Sequence, residues 1–180
     1  MLTEIEAVQK NATLIHTAAE VDAAIVAMAA KINASELAKL DPIVLCVMNG
    51  GLVVTGKLLP LLDFPLTMDG INASRYGAEI AGTEITWKQL PTLNLRDKTV
   101  LIIDDILDEG LTLAAIYDYC KQQGVSAIFS AVLVDKQLSK PKPVKADFVG
   151  LSVANYYLYG SGMDYKGYCR NVAGIYACEQ

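Results

Sequence analysis

Histidine is almost missing from this 180-residue chain, where His16 stands alone. The four cysteines, Cys46, Cys120, Cys169 and Cys178, include no C-x-x-C pair. Soft metals need several such ligands at close spacing, so a zinc-type centre is excluded. The cysteines read as small core residues of a reduced, cytoplasmic protein. Positive charge is scarce too. Fifteen Lys and Arg face 20 Asp and Glu, for a formal net charge of -5, and no basic patch appears. Nucleic acid is therefore not an expected partner. No G-x-G-x-x-G follows any candidate strand, which counts against a dinucleotide site.

Long uninterrupted apolar runs are also lacking. The best candidate for a membrane span, 43–62, is broken by Asn49, Gly50, Gly51, Gly56, Lys57 and Pro60. It reads as strand, loop and helix, and no membrane partner is expected. The first ten residues carry acids and no apolar h-region, so they do not read as a secretory signal. No internal repeat or low-complexity linker divides the chain, which is long enough for one domain with a real core.

Hydrophobic residues are plentiful, at 53% of the chain, and suit a well-buried sheet. Apolar residues at helical spacing (Val21, Ile25, Met28, Ala29, Ile32) predict an amphipathic helix over 17–40. Strands are expected at 43–47, 64–71, 84–88, 99–104, 127–134, 148–153 and 174–177. Helices are expected at 52–62 and 111–123, the latter capped by Gly124. Residues 73–82 read as a loop. Strand alternating with helix from 43 to 134 predicts an α/β fold: a parallel sheet core with helices on both faces. The segment after 135 is rich in Tyr and Gly and reads as a small hood subdomain, built partly from the N-terminal residues. The expected organisation is one domain over 1–180, with its core at about 40–135 and its hood at about 136–180.

One run carries the most information: Val100-Leu101-Ile102-Ile103-Asp104-Asp105-Ile106-Leu107-Asp108-Glu109-Gly110-Leu111-Thr112-Leu113. It reads as a buried strand, an acidic loop and the first turn of a helix. Ligands of open α/β sheets bind outside the carboxyl ends of strands, at such junctions. Clustered acids there are costly unless they are neutralised or hydrogen-bonded. A sugar with free hydroxyls, a bound Mg²⁺ and an anion on the helix N-terminus together suit the site. The amides from Glu109 to Leu113 can hold a phosphate, with the Thr112 hydroxyl as a further donor. Gly110 permits a positive φ or a close backbone approach. Asp108 can take or give a proton. A D-D-x-x-D alone is equally a capped helix beside a solvated strand end; the whole run favours the ligand site.

This run resembles the phosphoribosyl-pyrophosphate loop of type I purine phosphoribosyltransferases, closest to the hypoxanthine-guanine enzymes. Three other segments match in order: Met48-Asn49-Gly50-Gly51, Ser74-Arg75-Tyr76-Gly77 and Val132-Leu133-Val134-Asp135-Lys136. Tyr157, Leu158, Asp164 and Arg170 follow, so the resemblance spans about 40–175. It implies a single phosphoribosyltransferase domain acting in purine salvage. Hypoxanthine or guanine would react with 5-phospho-α-D-ribosyl 1-diphosphate to give IMP or GMP plus pyrophosphate.

The resemblance also implies roles. Asp108 becomes the general acid/base. Asp104, Asp105, Glu109, Gly110, Leu111 and Thr112 hold the ribose and its phosphate. Asn49, Gly50, Gly51, Arg170 and Arg75 hold pyrophosphate, under a flexible loop that starts at Ser74, Arg75 and Tyr76. Lys136, Tyr157, Leu158 and Asp164 contact the purine. Mg²⁺, the implied cofactor, falls to Asp104, Asp105 and Asp164. A homodimer or homotetramer is implied as well.

Lys136 can donate to a 6-oxo group and offers nothing to a 6-amino group, which favours hypoxanthine and guanine over adenine. Xanthine also carries the 6-oxo group, so a xanthine-preferring enzyme stays open. A non-catalytic regulator binding nucleotides or RNA on the same fold would need a basic face, which the charge balance opposes. Four departures from the family pattern stand out. Asn49 replaces a common Lys, Glu109 a Thr or Ser, Leu111 a polar or basic residue, and Arg75 a small Ser, which would restore the missing positive charge. A carboxylate cannot face a phosphate, so the Glu109 side chain is expected to turn outward and contribute only its amide.

Overall fold

The computed structural model describes residues 1–75 and 85–178, apart from the side chains at 74 and 75. Among these residues no helix is long and apolar enough to cross a membrane.

A six-stranded sheet forms the centre. Its strands are β2 (Ile43–Val47), β3 (Thr67–Arg75), β4 (Ile85–Gln89), β5 (Thr99–Leu107), β6 (Ala127–Gln137) and β7 (Phe148–Ala154). The order is β4-β3-β2-β5-β6-β7, with β4 antiparallel to β3 and every other pair parallel. The helices are α1 (Leu2–Asn11), α2 (Ala18–Asn33), α3 (Gly51–Leu58) and α4 (Leu111–Gln122). Alternate residues of the central strands serve opposite faces. Val44, Leu101 and Ile103 join Val21, Ile25 and Met28 of α2 and Val54 and Leu58 of α3. Leu45, Val100 and Ile102 join Leu113, Ile116 and Cys120 of α4. The continuous apolar strands follow from this covering of both faces.

Two short stretches near the N-terminus were not legible as elements. In α1 only Ile5 is buried, so its pattern gives little periodic signal. The strand β1 (Thr13–His16) is held by pairing with β9 (Ile175–Ala177), which in turn pairs with β8 (Leu158–Tyr159). These three form a small separate sheet. Within the span read as hood, Phe148–Ala154 extends the large sheet as β7.

Besides α3, which ends at Leu58 before a 3-10 turn at Leu59–Leu61, and β6, which runs on to Gln137, three stretches differ from expectation. The helix expected over 17–40 ends at Asn33, and a 3-10 turn, Glu36–Lys39, follows. There the Ser35 hydroxyl donates to the Ile32 carbonyl at 2.7 Å, and Asn33 Nδ2 donates to the Leu61 carbonyl at 2.9 Å. Such side-chain bonds seal a helix end. The strand expected at 64–71 begins at Thr67, beyond Pro65, which has no N–H for the ladder. It continues through Arg75 by pairing with β4, where a loop was expected. The third difference concerns the acids. β5 does not stop at Asp104, because β6, at 11 residues, is long enough to pair with it through Ile106↔Val134 and Leu107↔Asp135. Asp105, Ile106 and Leu107 are strand residues rather than loop residues.

Candidate active site

After β2 the chain moves to β3 on one side, and after β5 it moves to β6 on the other. β2 and β5 are therefore the neighbours between which strand order reverses, the place where open α/β sheets bind ligands. A cavity of about 340 Å³ lies there. Its wall takes Met48, Asn49 and Gly50 after β2, and Asp104 through Leu113 across the end of β5 and the start of α4. Lys136 of β6 completes it, with Tyr157, Leu158, Met163, Asp164 and Arg170.

The acid pair forms its floor. Successive strand side chains leave on opposite faces. Asp105 follows Ile103 toward α3, and Asp104 follows Ile102 toward α4. Close packing places Asp105 hard against the β2–α3 turn, where a Cβ on Gly50 would fall inside its carboxylate. The Asp105 N–H donates to Asp104 Oδ1 at 2.9 Å. Burial pushes the Asp104 carboxyl well above the usual carboxylate range, and the neighbouring Asp105 charge pushes it further. Burial raises Asp105 as well, opposed by its hydrogen bond with Asp104 and by the Arg170 guanidinium. Two buried carboxyls with too little positive charge nearby form a site that favours a cation.

Beyond Leu107 the chain turns through Gly110, whose φ of 81° opens α4. A side chain there would be strained. No side chain caps this helix, and the first amides of a helix have no intrahelical partner. Residues Glu109 to Leu113 line the cavity there. Glu109 is exposed and also lines the cavity.

Across the cavity, buried Lys136 donates through Nζ to Asp108 Oδ2 at 2.9 Å. Tyr157 is half exposed at the rim and meets Tyr165 edge-on, with ring centroids 5.6 Å apart. Arg170 Nη2 lies 2.6 Å from Asp164 Oδ1, while Nη1 donates to the Gly162 carbonyl at 2.8 Å and lies 3.9 Å from Asp105 Oδ2.

Most of the expected site residues thus meet around one cavity, with some exceptions. Gly51 opens α3 behind Gly50 and does not line it. Tyr76 and the side chains of Ser74 and Arg75 lie outside the described residues. The expected metal set of Asp104, Asp105 and Asp164 is not assembled as such. Among the described residues no group of three His, Cys, Asp or Glu side chains is placed to hold an ion. Asp164 is instead paired with Arg170 and accepts from the Gly167 N–H at 2.6 Å. Several wall residues were missed, among them Val47, Ala73, Met163 and Ile106. Ile106 offers a half-buried apolar surface between the acids, and alternation along an uninterrupted β5 would have exposed it.

A family model described as the phosphoribosyl transferase domain matches residues 12–166. The hypoxanthine-guanine phosphoribosyltransferase of Aquifex aeolicus is 32% identical over 142 residues, covering 77% of this chain and 79% of its own. That of Bacillus subtilis is 32% identical over 143 residues, covering 78% and 79%. The chain belongs to the hypoxanthine-guanine phosphoribosyltransferase family. A solved hypoxanthine-guanine-xanthine phosphoribosyltransferase superposes with a TM-score of 0.83 at 25% identity, covering 93% of this chain and 97% of that one. A Bacillus anthracis structure with a TM-score of 0.83 at 23% identity shares the fold. As a phosphoribosyltransferase, the chain is an enzyme, which sets aside the non-catalytic reading.

Proposed function

We propose that this enzyme transfers the phosphoribosyl group of 5-phospho-α-D-ribosyl 1-diphosphate to N9 of hypoxanthine or guanine, yielding IMP or GMP and pyrophosphate. One observation carries the reading. The uncapped first turn of α4, the buried acid pair and the Lys136–Asp108 pair face a single cavity.

In this reading the 5′-phosphate sits on the amides from Glu109 to Thr112, where the helix N-terminus favours an anion. Asp104 and Asp105 take the ribose hydroxyls. The purine stacks between the Tyr157 ring and the Ile106 side chain. Lys136 donates to O6, and Leu158 and Asp164 meet the 2-position edge. Asp108 handles the N7 proton as N9 bonds to C1 of the ribose and the C1–oxygen bond to pyrophosphate breaks. The leaving pyrophosphate gathers charge against the turn at Asn49 and Gly50, with Arg170 as the nearby cation. Arg75 would add a second. Gly51 supports that turn from behind.

The acid pair suits Mg²⁺, a hard ion that accepts one or two carboxylates and fills its other positions with water and substrate oxygens. When bound, it would neutralise charge on the diphosphate. Asp164 reaches this ion only if Arg170 yields it. The reading includes the cytoplasm as the place of action, which the four free thiols suit. It also includes a homodimer or homotetramer, supported by exposed apolar side chains such as Leu14, Leu52 and Met68.

The test is a spectrophotometric screen of hypoxanthine, guanine, xanthine and adenine with the diphosphate donor and Mg²⁺. Turnover of hypoxanthine and guanine, with none of adenine, is expected. Adenine as the best substrate, or turnover of no purine, would overturn the reading. A dominant xanthine rate would move the preference without changing the reaction.

A further inference from the structure

The loop joining β6 to β7 returns beneath the phosphate turn and brings one lysine with it. Lys142 Nζ donates to the Leu107 carbonyl at 2.6 Å and to Asp135 Oδ1 at 2.6 Å. Its side chain is only 12% exposed, and it does not line the cavity. A largely buried ammonium is tolerated when it is both paired and hydrogen-bonded, as here. Leu107 and Asp135 are cross-strand partners at the end of the β5–β6 ladder. The residue that follows each is a member of the proposed reacting pair: Asp108 after Leu107, Lys136 after Asp135. One ammonium therefore ties together the two strand ends from which that pair projects.

The same loop also backs the phosphate turn. A Cβ built on Gly110 would meet Pro143 Cδ at 3.3 Å and Lys142 Cβ at 3.4 Å. The turn thus rests on the lysine stem and the adjoining proline ring.

We infer that Lys142 is a positioning residue: it sets the separation of Asp108 from Lys136 and the seat of the phosphate turn. The inference rests on the function proposed above. It adds a residue outside the cavity and outside every motif of the sequence. Its physical basis is the steep dependence of catalysis on placement, since a displacement of about 1 Å can lower rates by about 10²-fold.

Steady-state kinetics of the full chain test it, varying hypoxanthine and the diphosphate donor separately in wild type, K142M, K142R and D135N. K142M should lower kcat/KM for the donor by about 10- to 100-fold, the loss that misplaced groups produce. Its melting temperature should fall much less than the kinetics imply. K142R, which keeps the charge and its donors, should recover most of the loss. If K142M does not fold, D135N carries the readout: a raised donor KM supports the role, and an unchanged one overturns it. K142M kinetics equal to wild type would overturn it, as would loss that merely follows the fraction unfolded with no recovery in K142R. Those failures leave an active wild type. An inactive wild type would instead bring down the proposed function, and this inference with it.

Discussion

Lys136 and Asp108 are joined across the cavity, Nζ to Oδ2 at 2.9 Å, from the ends of adjacent parallel strands. The lysine is buried, with its side chain 10% exposed, while the carboxylate side chain is 43% exposed. Each group therefore stands ready before a base arrives. In the proposed reading, the entering purine would offer O6 to one partner and N7 to the other, exchanging one charge-assisted bond for two.

Asp108→Asn keeps the size and an acceptor but cannot carry the proton. We expect kcat to fall by about 10²- to 10⁴-fold, the usual contribution of a positioned acid or base. KM for both substrates should change little. Initial-rate measurements at saturating substrates check this, and a kcat near wild type would remove Asp108 from proton transfer.

Lys136→Met preserves the stem and deletes the donor. A hydrogen bond to a charged group contributes about 1.5–3 kcal/mol, so KM for hypoxanthine and guanine should rise by about 10- to 150-fold. KM for the donor should rise far less. Equal increases for base and donor would assign Lys136 a general supporting role.

Asp104 yields a pH prediction. Its folded-state carboxyl is raised by burial and by Asp105. The folded protein therefore holds a proton that the unfolded chain releases nearer the ordinary carboxylate value. This group's effect on stability turns unfavourable as pH rises through that window, and the penalty is complete above the folded value. Asp104→Asn removes the penalty. In EDTA at pH 8 the variant should melt about 2–4 °C above wild type, the shift that about 1 kcal/mol produces at this size. The difference should shrink toward pH 4. Calorimetry at both pH values checks it, and a variant less stable at pH 8 would contradict it. Activity should fall in the same variant, since in the proposed reading the charge that destabilises the floor is the one that would meet Mg²⁺ and ribose.

The central strands and the two helices α3 and α4 were legible because β2, β5 and β6 are covered on both faces and carry unbroken apolar runs. The turn into α4 was legible because Asp108, Gly110 and Thr112 lie within five residues of one local motif. What escaped depends on partners far along the chain. β1 exists through its pairing with β9, more than 150 residues away. The continuation of β5 past Asp104 depends on the length of β6. The Arg170–Asp164 pair, which takes Asp164 out of a three-acid set, is a contact within the C-terminal segment that no periodicity announces. Lys142 escaped for a related reason: in a Lys-Pro-Lys-Pro turn it reads as surface, and only the folded loop brings its ammonium under Leu107.

The most direct measurement is a crystal structure of the enzyme with GMP. The account predicts the 5′-phosphate on the amides of Glu109 to Thr112, the ribose hydroxyls against Asp104 and Asp105, and O6 within hydrogen-bond reach of Lys136. A nucleotide bound with its phosphate away from the start of α4, leaving that turn unused, would contradict it.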